Sequence, residues 1–221
     1  MRTVFIYFLL VISLTVFAQE NLTYQRPPEE IARLVEAPLP PVVSFSPDKQ
    51  WMVLYERSDF PSIEQLSRPE LRLAGLRINP DNFGPSRISY FIGMRLKHIP
   101  TGKEYTVKNL PDPLQISNAA FSPNSRYIAF LQNFADRIEL WTVDLTSFEA
   151  RAATKRKINN VMGGAFSWLS DSNHILFTAV PENREPLPAK PRVPTGPVAE
   201  ENLGRKTPAR TYQDLLKNSY D

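Results

Sequence analysis

Hydrophobic and polar positions change period along this chain. The change follows residues 27–37, "PPEEIARLVEA". Here Ile31, Leu34 and Val35 share one face at helical spacing, Glu29 and Glu30 suit the positive N-terminal end, and Pro28 suits a first turn. A short helix is expected, ended by Pro38, Pro40 and Pro41. Beyond it the period becomes two. In "WMVLYE" (51–56) apolar side chains fall on both faces, which predicts a strand covered on both sides, and "YIAFLQ" (127–132) behaves alike. "IELWTVDL" (138–145) is a third β-prone run. "SYFIGMRLKHI" (89–99) sets Tyr90, Ile92, Met94 and Leu96 against Arg95 and Lys97. "PTGK" (100–103) then reads as a hairpin turn and "EYTVKNL" (104–110) as its return strand.

One phrase recurs ahead of these strands: "VSFSPDKQWMVLY" at 43–55, "AAFSPNSRYIAF" at 119–130, and a worn copy, "GAFSWLSDSNHILF", at 164–177. The last two phenylalanines, Phe121 and Phe166, stand 45 residues apart. Phe45 and Phe121 stand 76 apart because the first unit carries an extra segment near 58–88. A repeat of about 40–45 residues holding several short strands is the signature of propeller blades. In each unit the Phe anchors an inner strand. The Ser-Pro turn reverses the chain, with Asp48 or Asn124 capping it, and the next run is the central strand. The expected fold is therefore all-β, a partial β-propeller of two to three blades. Blade one covers 42–110, blade two 115–155, and blade three begins at 161, within an incomplete propeller spanning 42–180. Residues 19–41 form a helical lead-in. Residues 181–221 form a Pro-rich excursion, with seven Pro between 181 and 208, closing on a short helix "YQDLLK" at 212–217. Two to three blades do not close a ring, so the chain reads as part of a longer protein.

Composition narrows the function classes. The 221 residues hold 26 Lys+Arg against 23 Asp+Glu, a net +3 too small to imply a nucleic-acid partner. Eight Gly argue against a Gly-rich phosphate loop, and no Cys excludes disulfides, thiol nucleophiles and thiolate metal sites. Arg2, the apolar run Val4–Phe17, and Val16 and Ala18 at the −3 and −1 positions read as a signal peptide over 1–18 with cleavage after Ala18. The run is short for a membrane span. An exported protein, periplasmic or extracellular, is expected, with no membrane association beyond the export signal.

Three stretches carry a family resemblance: "RPELRLAGLRINPDNFGPSR" (68–87), "KINNVMGGAFSWLSDS" (157–172) and "VPTGPVAEENLGRKTPARTYQDLLKNSYD" (193–221). They resemble the N-terminal region of the prolyl oligopeptidase family of serine peptidases, in its glutamyl-endopeptidase-like branch. The resemblance implies a propeller followed by a C-terminal α/β-hydrolase domain with a Ser-Asp-His triad. The propeller would restrict entry to peptide substrates, and cleavage would fall after Glu. No cofactor and no metal site are expected from the residues.

The chain departs from that pattern where the chemistry should be. It has no Gly-x-Ser-x-Gly nucleophile motif; "GPSRI" (84–88) lacks the second Gly. "SDSNH" (170–174) holds Ser, Asp and His, but five consecutive residues suit a hairpin turn better than a triad. No catalytic residue is assigned. Arg68, Arg72, Arg77 and Arg87, in the segment inserted into blade one, are the candidate substrate-binding residues, since guanidinium groups suit bidentate carboxylate binding. The same four side chains would otherwise be surface arginines pairing with Glu64, Glu70 and Asp81. The basic run "RAATKRK" (151–157) reads as a solvated turn. The leading reading is the gating part of a secreted serine endopeptidase, inactive by itself. The alternative is a stand-alone exported binding or scaffold protein without catalysis.

Overall fold

The computed structural model describes residues 25–58, 60–186, 188–193, 203, 204, 214 and 216. The signal segment 1–18 with its cleavage site lies outside them, as does the helix expected at 212–217 except for residues 214 and 216. The described residues fall into two units, one ending at Ala37 and one starting at Pro38.

In the first unit, α1 spans Glu29–Val35. The N–H groups of Ile31 and Ala32 donate to the Pro28 carbonyl at 3.0 and 2.9 Å, and Arg33 pairs with Glu29 one turn back at 3.4 Å. Its buried residue is Ala32; Ile31, Leu34 and Val35, the expected apolar face, are exposed.

The second unit is built of antiparallel strands. β1 (Val42–Phe45), β2 (Trp51–Arg57), β6 (Phe91–His98) and β7 (Glu104–Thr106) pair in that order. β8 (Ile116–Phe121), β9 (Tyr127–Asn133), β10 (Ile138–Asp144) and β11 (Glu149–Ala152) repeat the same meander. Between the named strands one residue pair, Phe91 with Ile116, joins the two groups, and a bridge from Lys108, just past β7, to Glu149 of β11 adds a second link. β12 (Phe166–Trp168) and β13 (Ile175–Phe177) form a two-stranded sheet after them.

The central strand β9 shows why period two with apolar residues throughout reads as a doubly covered strand. Ile128 and Phe130 enter one core cluster with Val53, Met94, Leu96 and Val143. Ala129 and Leu131 enter another with Ile138, Leu140, Ile158 and Ala165. Both faces of one strand thus hold neighbouring strand groups together. In β6 the expected alternation holds at Met94, Arg95 and Leu96 but fails at Ile92. The pairing with β2 slips between Glu56 and Arg57, a bulge that turns Ile92 outward and brings Phe91 onto the Tyr55 ring at 4.8 Å. The 98–103 hairpin forms as expected, with Gly102 at φ +67° and His98 N–H donating to the Lys103 carbonyl at 2.8 Å.

The recurring Ser-Pro phrase has a shared geometry. Ser46 Oγ donates to Asp48 Oδ1 at 2.6 Å and accepts from Trp51 N–H at 2.9 Å; Ser122, Asn124 and Tyr127 repeat both bonds at 2.7 and 2.9 Å. The next position is left-handed in all three copies, with φ near +60° at Lys49, Ser125 and Ser172. These serines then link the copies. Asp48 N–H donates to Ser125 Oγ at 3.0 Å, and Asn124 N–H donates to Ser172 Oγ at 3.0 Å. Of the three anchoring phenylalanines, Phe121 and Phe166 pack against core clusters, whereas Phe45, on a strand whose one partner among the described residues is β2, is exposed.

Candidate functional site

The insertion between β2 and β6 folds into its own small structure. Ser62 caps α2 (Ile63–Ser67): its Oγ accepts from Gln65 N–H at 3.1 Å, and Gln65 Oε1 accepts from Ser62 N–H at 3.0 Å. β3 (Leu71–Leu73), β4 (Leu76–Asn79) and β5 (Gly84–Pro85) then make a three-stranded sheet. Its first hairpin turns through Ala74 and Gly75, both at positive φ, which matches the right-handed twist of the flanking strands. The tip of the insertion is locked down. Buried Asn82 donates from Nδ2 to the Phe134 carbonyl at 3.1 Å and accepts from Gly84 N–H at 3.0 Å. Asn160 N–H donates to the Phe83 carbonyl at 2.8 Å.

On this platform the candidate arginines divide into two sets. Arg68 caps the end of α2 and pairs with Glu64 at 2.9 Å. Arg72 and Arg77 face each other across β3 and β4, and Arg87 follows β5. These three converge on one carboxylate, that of Glu70: Arg87 Nε lies at 2.9 Å, Arg72 Nε at 3.2 Å and Arg77 Nε at 3.6 Å. Ser86 Oγ adds a hydrogen bond to Glu70 at 2.7 Å. That bond, followed by the positive charges of Arg87 and Arg72 acting against burial, holds the Glu70 carboxyl below the usual carboxylate range. Arg77 also reaches the Asp214 carboxylate, whose backbone carbonyl accepts from Ala74 N–H at 2.8 Å. The carboxylates met are thus Glu64, Glu70 and Asp214. Asp81 has no ion pair among the described residues. Sequence reasoning reached neither Ser86 nor Asp214, which stands 137 positions from Arg77.

Arg72 and Arg87 keep exposed guanidinium faces. The cluster is therefore three guanidinium groups gathered around one internal carboxylate, with N–H donors left over on the exposed edges of Arg72 and Arg87. Arg68, Arg87 and Glu70 line a small cavity of about 90 Å³ with Tyr90, and Arg72 lines a larger groove beyond β3.

The "SDSNH" turn holds no triad. Asp171 Oδ2 lies 2.6 Å from His174 Nδ1, but Ser172 Oγ is buried and engaged with Asn124 N–H. The His174 hydrogen bond, with the Asn173 N–H, keeps the Asp171 carboxyl low. His98 Nδ1 lies 2.9 Å from Thr101 Oγ1. Among the described residues no group of three His, Asp or Glu is placed to hold a metal ion, and no helix is long and apolar enough to cross a membrane.

No family model matches the chain. Two curated proteins do. The rice protein named "Probable glutamyl endopeptidase, chloroplastic" (Oryza sativa subsp. japonica) is 33% identical over 211 residues, 90% of this chain. The protein of the same name from Arabidopsis thaliana is 31% identical over 210 residues, again 90% of this chain. In both cases the chain spans only 22% of the relative's length. The acylaminoacyl peptidase of Pyrococcus horikoshii is similar in structure over 69% of this chain and 19% of its own, at 13% identity and a TM-score of 0.38. The resemblance read from the residues, to the N-terminal part of a prolyl oligopeptidase-family peptidase of the glutamyl-endopeptidase-like branch, is borne out by the two curated relatives.

Proposed function

We propose that this chain is the N-terminal, substrate-gating part of an exported serine endopeptidase that cleaves peptides after Glu. Its strand groups are the first blades of a β-propeller: blade one over 42–110, blade two over 115–155, blade three from 161. The observation that carries this reading is the similarity to glutamyl endopeptidases over nine-tenths of the chain. Two successive four-stranded meanders, with few backbone bridges between them, support the blade reading. The catalytic Ser-Asp-His set belongs to a hydrolase domain outside these 221 residues. The role of this part is to limit entry, so that peptides rather than folded proteins reach the nucleophile. The exposed faces of Arg72 and Arg87, held in place by Glu70 and with Arg68 and Arg77 beside them, are suited to an acidic substrate side chain.

Reading the coding DNA downstream of codon 221 tests this. An open frame reaching Gly-x-Ser-x-Gly, then Asp and His, is expected. The 221-residue chain alone should leave a Glu-containing fluorogenic peptide uncut. An immediate stop codon removes the peptidase reading and leaves a binding or scaffold protein.

A further inference from the structure

A second feature lies beside the arginine cluster. The insertion sheet, the loop before β12 and the segment after β13 enclose a groove of about 600 Å³. That is the size of pockets that hold drug-sized ligands. Leu73, Ile78 and Phe83 line it from the insertion, and Val161, Met162 and Val180 from the other elements. Met162 is 80% exposed and lines the groove, so its side chain is available to an apolar occupant.

The charge around the groove is one-sided. Arg184 lines it and lies 4.7 Å over the Phe83 ring. Among the described residues no carboxylate pairs with Arg184, and its guanidinium rests on the Phe83 ring face. Arg184 and Phe83 also line an adjoining cavity with Lys155, Arg156 and Lys157, the basic run that looked in the sequence like an idle turn. Glu182 lines this cavity as well and pairs with Arg156 at 3.4 Å; among the described residues Lys155 and Lys157 have no acidic partner, which leaves four cations around one carboxylate. The one carboxylate lining the groove, Glu70, is already ringed by three arginines.

An apolar trough bordered by uncompensated cations selects its occupant by chemistry. The apolar wall favours large aliphatic or aromatic side chains, and Arg184, Lys155 and Lys157 favour a carboxylate next to them. We propose that this groove binds an extended peptide segment in which an acidic residue adjoins a large apolar one. Arg184 takes the carboxylate, and Phe83, Val161 and Met162 take the apolar neighbour. The site is a docking surface, separate from any peptide-bond chemistry, and it uses Arg184 and the 155–157 run, which the proposed gating role does not.

The test is fluorescence anisotropy of the 221-residue chain with three labelled probes: an octapeptide alternating Leu and Glu, its Leu–Gln counterpart, and an oligothymidylate of similar charge. The Leu–Glu peptide should bind at least tenfold more tightly than the Leu–Gln peptide. Arg184→Glu, in an exposed segment, should remove that preference, and Met162→Asp should weaken both peptides. Arg33→Glu on α1 should change neither. Equal binding of the two peptides, a preference that survives Arg184→Glu, or tighter binding of the oligothymidylate would overturn the proposal. Binding without cleavage leaves it standing, whatever the downstream reading frame shows.

Discussion

Replacing Ser125 by Ala should detach the first Ser-Pro turn from the second. Ser125 Oγ accepts the Asp48 N–H at 3.0 Å, across 77 positions of sequence, and Ser125 is 4% exposed. The substitution removes the acceptor and leaves the amide in a partly buried site. A net hydrogen bond contributes about 0.5–1.5 kcal/mol, and an amide left unpaired raises the loss towards the upper end. Ser125 also sits at φ +60°, a region that costs an L-residue about 1–2 kcal/mol and glycine almost nothing. Ser125→Ala should therefore lose about 1–1.5 kcal/mol. Ser125→Gly, which loses the same bond but relieves the backbone, should lie close to the parent. Lys49 has the same backbone but makes no such bond, so Lys49→Gly should gain about 0.5–1 kcal/mol. Urea unfolding followed by tryptophan fluorescence measures all three, and amide exchange at Asp48 reports the bond directly. If Ser125→Ala is as stable as the parent and the Asp48 amide stays protected, the link between turns carries no energy and the reasoning fails.

Glu70 gives a pH signature. Its carboxyl is held below its ordinary value, so it contributes stability above the unfolded carboxyl pKa, and that contribution is lost as pH falls through the lower folded value. Proteolysis of the 60–90 insertion should accelerate in that acidic window, and Glu70→Gln should make the insertion protease-sensitive already at neutral pH. Gly84→Ala should destabilise by about 1–3 kcal/mol in thermal melts, because an added Cβ would lie 2.7 Å from Cδ1 of the fully buried Ile138. A tolerated Ala there would mean that the insertion tip is not pressed onto β10.

The legible parts of the fold are those whose determinants are local. β2, β6, β9 and β10 each carry period-two apolar runs, and the Ser-Pro turns carry their own capping residues, so each announced itself within a dozen positions. The same locality hid the slip at Ile92: a bulge is a relation between two strands, and the strand's own alternation continues unbroken through it. The insertion was legible only as a segment. Its strands are two to four residues long, too short for any period to show.

The sites are harder still, for the same reason carried further. The arginines could be counted in the sequence, but which carboxylate they met could not. Glu70 lies two positions from Arg72 and 17 from Arg87, while Asp214 lies 137 from Arg77. The groove joins residues near 73, 161 and 184, and its charge imbalance exists only after the nearer ion pairs are formed. Charges that find partners disappear as signals, and those left over define what the surface can bind. Arg184 has an aromatic ring beneath it and no ion pair among the described residues, although Glu182 and Glu185 stand close in sequence, so its guanidinium N–H groups are the donors the groove can offer a ligand.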